Sequence, residues 1–145
     1  MGKTHLSVSI AMQAIYSGIL VYYVPAVKLV QVLKKDFDEA RLNYRLSTYS
    51  KFHLMIVDEI GYLPLTIEES NLFFQFVSSR YESRANMYTS NKSFSEWGEV
   101  LGDQVMASAV LDRILHHCNV VNIRGESYRM KDRKKNALPT YEVKK

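Results

Sequence analysis

The chain has one cysteine, Cys118, among its 145 residues. No intrachain disulfide can form, and nothing marks the chain for an oxidising compartment. It also lacks any apolar run near the ~18 residues of a membrane-spanning helix. Its first residues do not show the charged-then-apolar pattern that directs secretion. These absences set the expectation of a cytoplasmic protein without membrane association. No internal repeat and no low-complexity stretch occurs, which excludes a repeat array.

What is present is a globular composition, 47% hydrophobic, at a length that suggests one domain. A domain of this size buries roughly 68–70% of its unfolded surface, enough for a real core. The net charge of +4 is unevenly placed. Residues 129–145 hold seven Lys/Arg and two Asp/Glu, giving +5, and residues 1–128 hold twelve and thirteen, giving −1. A basic tail of this kind draws in nucleic acid through counterion release, or serves as a solvated end that aids solubility.

Short apolar runs alternate with longer amphipathic ones, the rhythm of an α/β fold with a parallel sheet between helices. Leu6, Ile10, Ala14 and Ile15 predict a helix over 3–17, stopped by Gly18. A buried strand over 19–24 ends at Pro25. Leu29, Leu33, Phe37 and Tyr44 mark one face of a single helix over 27–46. The uncharged run 52–57 predicts a strand covered on both faces. Thr66 and Glu69 form a capping-box pattern ahead of a helix that buries Leu72, Phe73, Phe76 and Val77. A weaker strand over 86–90, a helix over 106–116 and a last strand over 119–123 complete the pattern. Beyond Arg129 only 137–143 has the makings of a short extended piece.

The chemistry-bearing residues begin with Gly2-Lys3-Thr4, directly before the first helix. In the phosphate-binding loop GxxxxGK[ST], backbone N–H groups and a helix N-terminus hold phosphates, the Lys reaches the β/γ-phosphates, and the Ser/Thr hydroxyl binds Mg²⁺. Only the last three positions of that pattern are present, and a bare GKT also opens ordinary helices. Support comes from Leu54-Met55-Ile56-Val57-Asp58-Glu59, four apolar strand residues followed by two acids, the Walker B pattern. Such a strand delivers Asp58 to its C-terminal end, where α/β sheets place ligands. There one carboxylate can hold the Mg²⁺ shell and Glu59 can polarise a water for attack on the γ-phosphate. Thr89-Ser90-Asn91 ends the next strand. It reads either as a polar group near the γ-phosphate or as a strand-to-loop turn. Arg113 reads either as a finger toward a neighbour's phosphate or as a helix-surface ion pair with Asp112. His116, His117 and Cys118 are metal-ligand types, but they are adjacent rather than spaced at i and i+4, so their spacing gives no argument for zinc.

These residues resemble a specific family. Leu54 to Leu65 (LMIVDEIGYLPL) looks like the Walker B segment of IstB-like ATP-binding proteins, the helper ATPases of insertion-sequence transposition. Those proteins are similar to DnaC helicase loaders and, more distantly, to DnaA. GKTHL, NLFFQ, TSNKSFSEWGEV, LDRILHH and NIRGESYR match in order, so the resemblance covers about residues 2–131.

The resemblance implies a P-loop NTPase (AAA+) domain that binds ATP and Mg²⁺, assembles as a homo-oligomer on double-stranded DNA and regulates a partner transposase. Alternatives are a DnaC-like helicase loader and a non-enzymatic DNA-binding remnant. By the same resemblance Gly2, Lys3, Thr4 and His5 belong to the phosphate loop, with Thr4 and Asp58 holding the metal. Glu59 is then catalytic, Asn91 is sensor I, Arg113 is the arginine finger and Arg129 is sensor II. Lys131, Arg133, Lys134 and Lys135 are DNA-contact candidates on charge. Residues 1–130 are expected to form a partial AAA+ domain and 131–145 a basic tail. Family members carry a strand and a Gly-rich loop before GKT. Without that first, central strand of the 5-1-4-3-2 sheet, strands 86–90 and 119–123 are expected either to keep unpaired edges or to be forced together. With most loop N–H donors absent, ATP affinity is expected to be weak and hydrolysis is left open.

Overall fold

The computed structural model describes residues 2–124. Arg129, Lys131, Arg133, Lys134, Lys135 and the extended piece at 137–143 lie outside the described residues. Three parallel strands, β1 (Val21–Pro25), β2 (Leu54–Ile60) and β3 (Ala85–Ser90), pair in the order β1-β2-β3. Helix α1 (Lys3–Tyr16) packs on one face against all three strands. The other layer comprises α2 (Ala26–Asp38), α3 (Leu42–Ser50), α4 (Ile67–Arg80), α5 (Trp97–Leu101) and α6 (Gln104–Leu115). No helix among the described residues is long and apolar enough to cross a membrane.

The two-residue period of a strand divides the core. Met55 and Val57 join Leu29, Leu33, Phe73 and Phe76 in the larger cluster, whereas Leu54 and Ile56 pack with Ala11 of α1. Residues Leu54 to Asp58 are all buried, as a strand covered on both faces requires. Each fully buried Leu, Ile or Val here contributes about 1.5–3 kcal/mol relative to exposure. Thr66 caps α4 as its sequence predicts, with Oγ1 accepting from Glu69 N–H at 3.2 Å and Glu69 accepting from Thr66 N–H at 2.9 Å.

Helix α1 forms where the sequence places it; its buried residues are Ser7 and Ala11, while Leu6, Ile10 and Ile15 face outward. Small side chains bring this helix close to the sheet, leaving its larger apolar residues on the far side. The single helix over 27–46 is two helices. Ala40 turns left-handed (φ 54), Arg41 N–H bonds Asp36 C=O at 2.7 Å and Ala40 N–H bonds Phe37 C=O at 3.0 Å. That is a Schellman cap built on alanine instead of glycine. The buried Asp36 carboxylate reinforces the corner by accepting from Arg45 Nε and, at 3.2 Å, from Arg41 Nη2. No strand forms at 119–123, where the chain is mostly exposed. A sheet residue there needs a ladder partner, and among the described residues the outer edge of β3 has none.

One buried cation ties this architecture together. Arg80, with no accessible surface, donates to Asn86 Oδ1 (2.5 Å) and to the carbonyls of Tyr49 (2.6 Å), Phe52 (3.1 Å) and Ala85 (3.0 Å). It thereby joins the ends of α3 and α4 to the starts of β2 and β3. Burial lowers its guanidinium to about 10, still charged at neutral pH.

Candidate functional site

Strand parity places the site. Asp58 lies on the same face of β2 as Leu54 and Ile56, the face that α1 covers, and at the C-terminal end of the strand. On that face Tyr23 of β1 and Thr89 of β3 flank it, and the first turn of α1 reaches it. Three hydroxyls converge on this buried carboxylate. Thr4 Oγ1 donates to Oδ2 at 3.1 Å, Tyr23 OH donates to the same oxygen, and Thr89 Oγ1 donates to Oδ1. The GKT turn and the acidic strand end, 54 residues apart, therefore meet.

Gly2 opens α1 without a side-chain cap, and its C=O accepts from Leu6 N–H at 2.8 Å. The N–H groups of the first turn have no partner inside the helix, and the helix dipole adds partial positive charge there. No acidic residue sits in that turn. Lys3 is half-buried, and Thr4 and His5 are exposed. A phosphate is the natural counter-charge for such an end.

Glu59 is set apart from Asp58 by a β-bulge. Between Val57↔Tyr88 and Ile60↔Ser90, β2 advances three residues while β3 advances two. Glu59 absorbs the extra residue at φ 61 and is exposed. A regular strand would send Glu59 into the cluster that holds Met55 and Val57. The bulge gives that place to Ile60, which is 3% exposed. A left-handed glutamate costs about 1–3 kcal/mol, strain of the kind concentrated at functional sites. Glu59 N–H donates to Thr89 Oγ1 at 2.9 Å, so one threonine holds both the bulge and the aspartate.

Next along the chain, Gly61 has φ +95, and Lys92 Cγ lies 2.6 Å from where a Cβ would stand, so only glycine fits there. Burial and the bond to Asp58 push the Tyr23 phenol up to about 12, so it acts as a hydrogen-bond donor throughout the physiological range.

Of the residues picked out in the sequence, Thr4 and Asp58 touch, Lys3 and His5 flank Thr4, and Glu59 follows Asp58. Asn91 is exposed one residue beyond β3. Arg113 lies on α6, its guanidinium 4.5 Å from the Phe74 ring centroid and donating to Ala109 C=O at 3.2 Å. It is not among the groups contacting Asp58. Tyr23 and the direct role of Thr89 escaped sequence reasoning. The available signal was a polar hydroxyl in each neighbouring strand, in phase with Asp58 once the register is known.

The oxygen donors of Thr4 and Asp58 suit a hard divalent cation such as Mg²⁺. With an uncapped helix end, a lysine beside it and an exposed carboxylate next to the metal-type one, the arrangement is chemically equipped to bind a phosphoanhydride and direct water at it.

A family model described as IstB-like ATP binding protein matches residues 1–136. The chain is 45% identical over 139 residues to a Pseudomonas aeruginosa protein named as an ATP-binding protein of insertion sequence IS21, spanning 96% of this chain and 52% of that one. It is 47% identical over 131 residues to the corresponding IS232 protein of Bacillus thuringiensis, spanning 90% and 52%. The chain thus spans about half the length of the curated relatives it matches. Among solved structures, AMPPCP-bound DnaA from Aquifex aeolicus superposes with TM-score 0.65 at 20% identity, over 76% of this chain and 34% of that one. A DnaC helicase loader gives 0.61 at 24% identity, over 77% and 68%. These two likenesses show the P-loop fold alone.

Proposed function

This chain belongs to the IstB-like ATP-binding protein family, and on that premise we propose that Gly2–His5, Asp58 and Glu59 form a Mg-ATP site serving insertion-sequence transposition. The observation that carries the reading is the Thr4–Asp58 contact, which joins the end of the phosphate-loop pattern to the Walker B acid.

Lys3 and the free N–H groups at the start of α1 orient the phosphates. Thr4 and Asp58 would hold Mg²⁺, which supplies charge neutralisation to the phosphates when bound. Tyr23 and Thr89 keep Asp58 in place from both neighbouring strands. Glu59, turned outward by the bulge, takes a proton from the attacking water, with Asn91 placed after β3 to help position that water. Arg113 acts on the nucleotide of a neighbouring copy, and Arg129 closes on the nucleotide from the C-terminal side. The same reading assigns the basic residues Lys131, Arg133, Lys134 and Lys135 to double-stranded DNA, and the assembled oligomer to control of a partner transposase. The insertion-sequence names of the relatives favour this over helicase loading.

Isothermal titration with ATP, with and without Mg²⁺, tests the site. Saturable binding of ATP is the expected result. Mg²⁺ should tighten it, and Asp58→Asn should remove that tightening. Absence of saturable ATP binding would overturn the site. An Asp58→Asn chain with unchanged Mg²⁺ dependence would overturn the assignment of the metal ligand.

A further inference from the structure

The adjacent pair His116-His117 gains a third partner only in three dimensions. Helix α6 ends at Leu115, and the turn after it meets the turn that follows α4. There Glu82, His116 and His117 bring one ligand atom each to within 4.8 Å of one another. Glu82 Oε1 lies 3.5 Å from His116 Nδ1, and the two imidazole centroids are 3.9 Å apart. This cluster precedes β3, at the end of the sheet opposite Asp58, so it is separate from the nucleotide site.

We propose that Glu82, His116 and His117 form a binding site for a zinc-class divalent transition metal.

Two imidazoles and a carboxylate are the donors that zinc, copper and nickel prefer, whereas Mg²⁺ and Ca²⁺ demand oxygen throughout. Metal–ligand bonds of about 2.0–2.2 Å in tetrahedral geometry put donor atoms roughly 3.3–3.6 Å apart. The cluster is about an ångström wider than that. The Glu82 and His116 side chains are 58% and 45% exposed, so rotation about their side-chain bonds can close it at low cost.

The backbone favours the convergence. Glu82 and His117 both have φ 56, a conformation that side-chain-bearing residues seldom adopt. The turn at His117 folds its ring back onto that of His116, which overcomes the divergence expected of neighbours in sequence. Three protein ligands leave a fourth position to water, so the site is open. An ion here clamps the end of α6 to the α4–β3 turn.

Titration of the chain with Co²⁺ and Zn²⁺, followed by the Co²⁺ ligand-field spectrum and by thermal unfolding, tests this. The expected result is one ion per chain with a Kd of about 10 µM, weaker than closed four-ligand sites, and a melting temperature raised by about 5 °C at saturation. His116→Ala, His117→Ala and Glu82→Gln should each weaken binding at least about tenfold. These residues are at the surface, so each variant should keep the metal-free urea midpoint of the parent. Cys118→Ser and Asp58→Asn should bind as the parent does. Absence of saturable binding would overturn the proposal. So would binding that survives loss of both histidines, or that disappears with Cys118 or Asp58.

Discussion

Replacing Thr89 with valine keeps the shape of the side chain and removes one hydroxyl. That hydroxyl donates to the buried Asp58 carboxylate and accepts from Glu59 N–H at 2.9 Å. A hydrogen bond to a charged group contributes about 1.5–3 kcal/mol and a neutral one about 0.5–1.5, with the higher values applying when a buried partner is orphaned. Thr89 is 9% exposed, so water reaches its partners poorly. Tyr23 and Thr4 still serve the other carboxylate oxygen, which limits the loss. The expected destabilisation is about 2–4 kcal/mol. With an m-value of about 1.5–2 kcal/mol/M for urea, the midpoint falls by about 1–2.7 M. Total stabilities of about 5–15 kcal/mol leave the variant folded. The sole tryptophan, Trp97, is 2% exposed and reports unfolding by fluorescence. Thr89→Ser separates hydroxyl from methyl: it keeps both bonds and should lose only about 1 kcal/mol. A valine variant within 0.5 kcal/mol of the parent, or a serine variant as damaged as valine, would refute the view that this hydroxyl holds the bulge and the aspartate together.

Arg80→Met should cost about 3–5 kcal/mol, because it orphans three carbonyls that Arg80 now satisfies; the urea midpoint measures it. The hydrogen bond from Arg45 holds the Asp36 carboxyl below its ordinary value. Since the unfolded chain then binds protons first, this stabilisation is complete above about pH 4 and is lost as pH falls through the depressed folded value. Urea midpoints measured from pH 6 down to pH 2.5 should show a steeper acid loss in the parent than in Asp36→Asn. Finally, replacing Lys131, Arg133, Lys134 and Lys135 together with alanine should reduce the slope of log K against log salt for duplex DNA by about 3.6, read by fluorescence anisotropy.

The alternation of apolar runs and the matched motif strings were enough to foresee a parallel α/β fold of the P-loop class, and the capping box at Thr66 and Glu69 was readable residue by residue. Such features are local. Periodicity, cap chemistry and motif spacing act over a few residues, and the chain displays them directly. The α2–α3 corner was missed because its left-handed cap is Ala40, stabilised by the carboxylate of Asp36 where glycine would have announced it. The strand expected over 119–123 had the right composition but has no strand to pair with among the described residues.

The order of residues alone picked out the candidate groups: the Gly2-Lys3-Thr4 turn and the Asp58-Glu59 pair. Tertiary structure alone decided how they meet. Tyr23, Thr89 and Thr4 reach Asp58 from positions 31 to 54 residues away. The single-residue bulge that frees Glu59 exists only in the pairing of β2 with β3. Arg80 is a surface-type side chain that the fold buries among carbonyls, and Glu82 comes to the two histidines across a 34-residue separation. Each depends on register and packing between distant segments, which no pattern along the chain encodes.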